Sequence, residues 1–526
     1  MDSIAPKKRS AKSQKPSILL IHPVFSYTGK KTLPVGLCYL AAYLRNKINN
    51  LDLEIFDAHI LNSSLFQLQR KILQKKWEII GISYWTIQAE NSFIISSFIK
   101  KHVDSFLVHG GVHATVCPEE AIQYADCIVL HEGEETFFEL VQAVLNGRKG
   151  LDDIPGIVHK KDGKIITTPP RPFISNLDEL PFPAFDLLPL GLYDSPMHVT
   201  GGKRLPLIGS RGCPYNCSFC TSPLFWKRKL RTRTPLNIVT EIAENKRRYG
   251  IHQIHFWDDN MVINKSWIQE LCNLLITKKM KINWCGLSRA EHIVKQRNLL
   301  PLMKKAGCVG IEIGIESFSD QAAQITNKGE KIKDMIRAAR FMKKAGIVPL
   351  YTHMVFTPGE TISSYYEKER FLKSIELKKF SSDGGFGQAA TPHRKTVFER
   401  EAPSLGIVLC KELSHYSHQR VNFIPFSLLN DIPVKNCKGD FMPYVFESLR
   451  LILVSISLSP KEIRAYIITT CLLLKYINGK NTLKQLTNKI INAFSFPKEN
   501  TIRYCALAIA ALARKNLIKS NCSITN

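Results

Sequence analysis

Long apolar runs and acidic side chains are both scarce in this sequence. No stretch of about 18 consecutive apolar residues, the length that spans a bilayer, occurs among the 526 residues. The most apolar candidate, residues 451–477, is broken by the polar stretch 459–462 and predicts two buried helices instead. The tail at residues 1–16 is basic and has no apolar core, which excludes a secretory signal peptide and predicts a disordered segment. We therefore expect a cytoplasmic protein without a membrane span.

The charge balance follows from the shortage of acids. The 45 acidic residues face 72 lysines and arginines, which gives a formal net charge of +27. Such an excess raises the affinity for nucleic acids, anionic lipids and acidic substrates. However, the charge is spread along the chain, and the sequence lacks the interleaved aromatic and basic residues of the usual RNA-binding modules. Biased composition accounts for the charge more simply, and a basic nucleic-acid-binding protein with a structural metal loop stands as a distant alternative.

Residues 17–150 alternate short apolar runs with amphipathic stretches, which predicts a doubly wound, Rossmann-like parallel sheet. The run at residues 18–21 is typical of a strand that is buried on both faces. Further strands are predicted at residues 53–56, 79–83, 106–108 and 127–130, and helices at 36–44, 93–101 and 135–145. Because ligands bind at the carboxyl ends of such strands, we expect a cofactor site there.

The rest of the chain divides into three predicted parts. Residues 151–200 are rich in proline and predict a connector, with a β-hairpin at Asp162-Gly163. Residues 201–385 predict a full or partial (β/α) barrel. Its strands are predicted near residues 205–208, 253–257, 281–285, 309–315 and 349–356, and its helices near 235–249, 265–278, 298–306 and 331–345. Residues 386–526 predict a mostly helical C-terminal domain.

Three of the fourteen cysteines are closely spaced: Cys213, Cys217 and Cys220 form a C-x3-C-x2-C arrangement. They follow a predicted strand on a loop with Gly212 and Pro214, where three thiolates can converge. Soft thiolates suit a cubane iron–sulfur cluster, whereas zinc normally needs a fourth cysteine or histidine in matching spacing. Three ligands leave one iron of a four-iron cluster open, and an open metal position indicates reactivity. The remaining cysteines are scattered singly, which in a reducing compartment predicts burial.

This cysteine spacing resembles the signature of the radical S-adenosylmethionine (radical SAM) superfamily. Three further stretches resemble the acidic end of the family's second barrel strand, its fourth strand and the turn after its fifth: 256–260, 310–317 and 357–361. One departure is Phe356, which stands where a glycine is usual. The resemblance implies a [4Fe-4S] cluster held by Cys213, Cys217 and Cys220. It also implies that S-adenosylmethionine is contacted by Phe219, Asp258, Asp259, Glu316, Ser317 and Glu360.

The N-terminal sheet region is similar to the cobalamin-binding domain that many radical SAM enzymes carry. Residues 33–44 resemble the opening of that domain, and residues 108–115 and 131–136 resemble its later loops. The resemblance implies that cobalamin is contacted by Pro34, Val35, Gly36, Leu37, Ser83, Trp85, Gly110, Gly111, His113, Glu132, Gly133 and Glu134.

A second motif of cobalamin proteins is not matched. Methyl-transferring cobalamin proteins often carry an Asp-x-His-x-x-Gly motif whose histidine binds cobalt. Asp57-Ala58-His59 ends the second strand instead of the first, and Asn62 replaces the glycine. We therefore expect no histidine on the lower face of cobalt, and Trp85 is a candidate to shield that face. The methylthiotransferases for transfer RNA share the layout of domains, but they need three N-terminal cysteines, and the cysteines here are spaced differently.

The resemblance implies a cobalamin-dependent radical SAM enzyme that methylates an unactivated carbon. In such an enzyme one S-adenosylmethionine methylates cobalamin and another supplies a 5′-deoxyadenosyl radical. The alternative is a ring closure, rearrangement or oxidation in which cobalamin passes on no methyl group. The expected partners are a small-molecule or peptide substrate and an electron donor of the flavodoxin or ferredoxin type. Residues 440–520 faintly resemble winged-helix domains that capture leader peptides, so a peptide-docking module and a helical cap both stay open.

Overall fold

A computed structural model describes residues 15–24, 33–61, 65–193, 204–355, 357–359 and 392–402, with Gln388, Ala389, Ser404 and a few residues between 364 and 374. Within these ranges, no helix has both the length and the apolar character needed to cross a bilayer. The predicted helices and winged-helix-like region beyond residue 440 lie outside the described residues, as do Phe356 and Glu360.

The N-terminal part is built on a seven-stranded sheet. Its strands are β1 (Ser17–His22), β2 (Asp52–Asp57), β3 (Ile79–Ser83), β4 (Phe106–Gly110), β5 (Cys127–Val129), β6 (Ile157–Lys161) and β7 (Lys164–Thr167). They lie in the order β2-β1-β3-β4-β5-β6-β7. The first five are parallel, and the last two are antiparallel to their neighbours.

Helices cover both faces of this sheet. They are α1 (Val35–Lys47), α2 (Leu65–Leu73), α3 (Ala89–His102), α4 (Gly111–Val116), α5 (Pro118–Ala121) and α6 (Glu134–Leu145). Alternate residues of β1 face opposite ways: Ile18 and Leu20 pack with α1 and α6, whereas Leu19 and Ile21 pack with α2 and α3. This double coverage explains the unbroken apolar run in β1, and it confirms the predicted doubly wound sheet.

The sheet continues past residue 150, the predicted end of the N-terminal domain. The strands of the Asp162-Gly163 hairpin are β6 and β7, and β6 pairs with β5. Asp162 has φ of 48° and Gly163 has φ of 74°, as the tight turn of a two-residue hairpin requires. The hairpin signal was therefore right, but the segment that carries it belongs to the sheet and not to a connector.

The end of the predicted connector is also packed. Leu177, Phe185, Leu188 and Tyr193 are buried, and they join one hydrophobic cluster with α1 and with the strands of the second sheet. Short 3₁₀ turns shape this stretch: Leu151–Asp153, Leu177–Glu179, Phe185–Leu187 and Leu190–Leu192. The two halves of the molecule therefore share a continuous apolar core.

The second sheet has six strands, each parallel to its neighbours. They are β8 (Leu205–Leu207), β11 (Gln253–Phe256), β12 (Asn283–Ser288), β13 (Cys308–Ile315), β14 (Val348–Val355) and β15 (Gln388–Ala389), while β9 (Ser210–Arg211) and β10 (Arg231–Thr232) form a separate antiparallel pair. The order β15-β14-β13-β12-β11-β8 describes an open, partial barrel. The prediction of a full or partial barrel is confirmed in its partial form.

Helices alternate with these strands. They are α7 (Ser222–Trp226), α8 (Pro235–Tyr249), α9 (Lys265–Thr277), α10 (Ala290–Lys295), α11 (Leu300–Lys305), α12 (Asp320–Thr326), α13 (Ile332–Lys344) and α14 (Val397–Glu401), with 3₁₀ turns at Thr86–Gln88, Met261–Ile263 and Arg297–Leu299. Local sequence sets their ends. In α8, the Thr234 hydroxyl caps the N-terminus, Pro235 follows at the first helical position, and Gly250 ends the helix with φ of 64°.

Candidate active site

The three clustered cysteines lie on the loop between β9 and α7, and each is half-buried with a free thiol. Gly212 opens this loop with φ of 90°, and a Cβ there would lie 2.1 Å from the Lys229 carbonyl oxygen, so the tight entry requires glycine. Burial raises the pKa of all three thiols, that of Cys220 to about 12. The three thiols lie on one loop and act electrostatically on one another. They are the donor set of an iron–sulfur cluster, and metal binding would supply the charge that ionises them.

The adjacent carboxylates Asp258 and Asp259 follow β11 and play different structural parts. Asp258 is 2% exposed and accepts hydrogen bonds from the Gly209 amide, at 3.0 Å, and from the Ser210 hydroxyl. Burial raises its pKa to about 6. Asp259 accepts a 2.6 Å bond from the Ser222 hydroxyl at the start of α7 and acts electrostatically on the thiols of Cys213 and Cys220. Asp258 therefore braces the strand before the loop, whereas Asp259 borders the loop itself.

Two of the residues that the resemblance singles out lie at the end of β13. Glu316 is paired with Lys328, whose Nζ lies 3.0 Å from Glu316 Oε1 and 2.9 Å from Glu330 Oε2. Burial alone would lower the pKa of Lys328, but the two carboxylates raise it, so the ammonium stays charged. Ser317 is buried and accepts a 3.2 Å hydrogen bond from the Ser319 amide.

Arg289 also belongs to this site, and sequence reasoning missed it. It follows the last residue of β12, and its Nη1 lies 3.8 Å from Cys217 Sγ. Its guanidinium carbon lies 3.7 Å from the ring centroid of Tyr215, which stands inside the cysteine motif. No sequence signal pointed to it, because the strand was predicted to end at residue 285, and only the structure places Arg289 directly after β12, where ligand-binding residues gather.

The predicted cobalamin residues gather at the carboxyl edge of the N-terminal sheet. Trp85, in the loop after Ser83, is 64% exposed, and Gly36, at the start of α1, is exposed with open space around it. Gly110 ends β4 and Gly111 begins α4, and a Cβ on Gly111 would lie 2.8 Å from the Tyr84 carbonyl oxygen. The exposed Trp85 ring and the open space at Gly36 are therefore the parts of this edge that a bulky cofactor can approach.

Several of the predicted cobalamin residues face inward. Pro34, Val35 and Leu37 are buried in the core that supports α1. His113 is fully buried; its Nδ1 lies 3.2 Å from Thr86 Oγ1 and its Nε2 lies 3.3 Å from Glu120 Oε2. As direct contacts of cobalamin these residues stay predictions.

Glu132 and Glu134, which flank Gly133 after β5, are bonded to arginines of the barrel. Arg211 Nη1 lies 2.7 Å from Glu132 Oε1, and its Nη2 lies 2.6 Å from Glu134 Oε1. Arg231 lies 2.7 Å from the other oxygen of Glu132, and all four side chains are nearly buried. Arg211 stands two residues before Cys213 in the chain. We call this group the acid–arginine joint; it holds the loop after β5 against the strand that leads into the cysteine loop.

Three further contacts join the cysteine loop region, the N-terminal part and the segment 392–402. His131 Nδ1 lies 2.7 Å from the Phe225 carbonyl oxygen in α7. On the other side, the Phe398 amide donates a 2.9 Å bond to the Ser218 carbonyl, and Lys395 forms a 2.8 Å ion pair with Glu119. The segment 392–402 therefore contacts both the cysteine loop and the N-terminal part.

Comparison with known proteins agrees with this architecture. The model of the B12 binding domain matches residues 21–141, and that of the radical SAM superfamily matches residues 207–372. An uncharacterized methyltransferase of Pyrococcus horikoshii is 31% identical over 369 residues, covering 68% of this chain and 78% of that protein. The anaerobic magnesium-protoporphyrin IX monomethyl ester cyclase of Rubrivivax gelatinosus is 30% identical over 370 residues, covering 68% of this chain and 65% of the cyclase.

A solved structure shows the same fold over most of the chain. The radical SAM methyltransferase TsrM from Kitasatospora setae, with cobalamin and a [4Fe-4S] cluster bound, superposes with a TM-score of 0.60 at 15% identity, covering 95% of this chain and all of TsrM. The paired domains define a radical SAM enzyme with a cobalamin-binding domain, and the chain belongs to that family. Its cofactors are a [4Fe-4S] cluster, S-adenosylmethionine and cobalamin.

Proposed function

We propose that this enzyme methylates an unactivated carbon of a small-molecule or peptide substrate. The observation that carries the proposal is the acid–arginine joint, because it holds the loop after β5 against the strand that leads into the cysteine loop. Two cofactors bound on either side of this joint would act on a single substrate. The Pyrococcus relative, matched over 78% of its length, is named a methyltransferase, whereas the Rubrivivax relative, matched over 65%, is a cyclase. Methyl transfer is therefore the reaction to test first.

In this proposal Cys213, Cys217 and Cys220 hold the cluster, and Asp259 accepts a hydrogen bond from the amino group of S-adenosylmethionine. Glu316 and Ser317 lie at the strand end where the ribose would be held. When bound, S-adenosylmethionine at the cluster supplies a 5′-deoxyadenosyl radical, and cobalamin carries the methyl group. The protein's own residues orient these groups and exclude water. An electron donor of the flavodoxin or ferredoxin type, in a reducing compartment such as the cytoplasm, completes the system.

At the edge of the N-terminal sheet, Gly36 would leave room for cobalamin, Gly111 allows close packing of the loop against Tyr84, and the exposed Trp85 would shield the cofactor. In this proposal the Asp57-Ala58-His59 stretch supplies no histidine to cobalt. The bonding of Asp57 supports this reading, because its carboxylate already accepts hydrogen bonds from other residues. It accepts hydrogen bonds from the Tyr193 hydroxyl at 2.5 Å and from His22 Nδ1 at 2.9 Å. This bonding fits a structural role for Asp57.

Metal analysis and methyl tracing test the proposal without knowledge of the substrate. The protein, purified without oxygen from cells given cobalamin, is expected to hold about four iron and about one cobalt per chain. Incubation with methyl-labelled S-adenosylmethionine and a strong reductant is expected to move label into cobalamin. Iron without cobalt, or cobalt that takes up no label, would contradict methyl transfer and favour ring closure, rearrangement or oxidation.

The two adjacent aspartates are expected to respond differently to the same substitution. Asp259→Asn should weaken S-adenosylmethionine binding about 10- to 100-fold, the loss of one charged hydrogen bond, with little change in stability. Asp258→Asn should leave that affinity nearly intact but lower stability by about 1–3 kcal/mol, because a buried amide cannot accept both existing hydrogen bonds. Equilibrium binding under anaerobic conditions and thermal unfolding separate the two effects. Equal losses of affinity in both variants would contradict this division of roles.

A further inference from the structure

Beside the cysteine loop, the guanidinium of Arg289 faces the sulfur of one proposed cluster ligand. Its Nη1 lies 3.8 Å from Cys217 Sγ, within hydrogen-bonding distance for sulfur. We propose that Arg289 is a positioning residue that raises the reduction potential of the cluster through this N–H···S contact. The inference rests on the proposed function in one respect, namely that Cys217 is a ligand of the cluster.

Arg289 is held in place from several sides. Its Nε donates to Glu291 Oε1 at 2.9 Å, and its Nη2 donates to the Lys328 carbonyl oxygen. Its plane lies against the ring of Tyr215, 3.7 Å from the centroid, and the Tyr215 hydroxyl donates to the same Glu291. The side chain is 7% exposed. A guanidinium held by two hydrogen bonds and packed over a ring has little freedom to turn, and this orientation directs its Nη1 group at the sulfur.

Tyr215, the ring over which Arg289 packs, belongs to the cysteine motif itself. Tyr215 stands between Cys213 and Cys217, so the residue that carries the guanidinium moves with the loop that would hold the cluster. His292 Nε2 lies 2.8 Å from the Tyr215 hydroxyl and completes this support. The arrangement ties the position of the arginine to the position of the sulfur.

The charges around Arg289 determine the direction in which it shifts the reduction potential of the cluster. Lys328 is another nearby cation, but it is paired with both Glu316 and Glu330, whereas Arg289 forms an ion pair with Glu291 at its Nε, away from the sulfur. Glu330 also acts electrostatically on Arg289. An iron–sulfur cluster gains a negative charge on reduction, and a neighbouring cation and a hydrogen bond to sulfur both favour the reduced form. Arginine stays protonated throughout the accessible pH range, so this contribution is permanent. The expected result is an easier one-electron reduction of the cluster.

The test is a redox titration of the cluster by electron paramagnetic resonance, without S-adenosylmethionine, so that cosubstrate binding cannot produce the shift. Arg289→Met should make reduction about tenfold less favourable, which for a one-electron couple is 59 mV toward negative potential. Arg289→Lys should shift the potential less, because the positive charge stays while the planar guanidinium with its fixed N–H directions is lost. Glu291→Gln should shift the potential the opposite way, since it removes the negative partner while Arg289 remains. Arg297→Met, on the exposed turn after α10, serves as the matched control and should leave the potential unchanged.

Iron and sulfide content, measured on each variant, distinguishes a failure of the inference about Arg289 from a failure of the proposed function. Opposite shifts in Arg289→Met and Glu291→Gln at full iron content support the inference, because a merely structural defect would not change sign. An unchanged potential in Arg289→Met with full iron content overturns the inference and leaves the proposed function intact. If Arg289→Met loses its iron, the signs of the Arg289→Lys and Glu291→Gln shifts decide. Absence of iron and sulfide from the unmodified protein overturns the proposed function and the inference together.

Discussion

Replacing Cys217 with alanine is expected to give a folded protein that has lost nearly all of its iron and no longer cleaves S-adenosylmethionine. A cubane cluster held by three thiolates keeps only two after this change, and two do not retain it. Folding should persist, because Cys217 lies half-buried on a loop and outside the apolar core. Iron and sulfide analysis, visible absorption and the yield of 5′-deoxyadenosine measure the effect.

Cys272→Ala provides the control for this prediction. Cys272 is fully buried in α9 and belongs to the apolar core. Its loss should lower stability by about 1 kcal/mol through the small cavity it leaves, and should leave the iron content unchanged. Retention of iron in Cys217→Ala, or its loss in Cys272→Ala, would contradict the assignment of the cluster to the loop.

The second large effect is expected at the acid–arginine joint. Arg211→Met should lower the free energy of unfolding by about 3–5 kcal/mol, because it leaves the carboxylates of Glu132 and Glu134 buried beside an apolar side chain. Arg231 would still pair with Glu132, so most of the lost stability should come from the unpaired carboxylate of Glu134. Urea unfolding of the reduced protein, followed by tryptophan fluorescence, measures the change.

Two comparison variants make this prediction specific. Arg45→Met removes an ion pair with Asp186 whose side chains are 45% and 31% exposed, so its cost should be no more than about 1 kcal/mol. Adding Glu134→Gln to Arg211→Met should recover part of the lost stability, because the stranded charge is removed. Equal costs for Arg211→Met and Arg45→Met would show that the joint contributes no more than a surface ion pair.

The sequence predicted the central strands of the first sheet well, because β1, β3 and β4 are buried along nearly their whole length and consist mainly of apolar residues. β1 is the clearest case. The hairpin at residues 157–167 was recognised from Asp162-Gly163, but its membership in the sheet was missed. Pairing of β6 with β5 is a contact between distant segments, and the nearby prolines favoured a connector instead. The end of β12 was also missed, since Ser288 lies beyond the apolar residues that marked the strand.

The site was predictable where its residues are close in sequence. Cys213, Cys217 and Cys220 form a local pattern, whereas the Arg289 contact with Cys217 joins residues 72 positions apart. The partners of Glu132 and Glu134 lie 77 to 99 positions away in the chain, so no local signal pointed to them. Asp258 and Asp259 look equivalent in the sequence. The structure distinguishes them, because successive residues after a strand face opposite ways.

The acid–arginine joint also bears on how such enzymes can be recombined. A cobalamin-binding domain transplanted from a relative would bring its own residues to the positions of Glu132 and Glu134, and these would meet Arg211 and Arg231 of the recipient barrel. Unless both acids were present, the graft would bury unpaired arginines at the junction. The two domains are therefore expected to be inherited as a matched pair, and a functional chimera would have to exchange the acids and the arginines together.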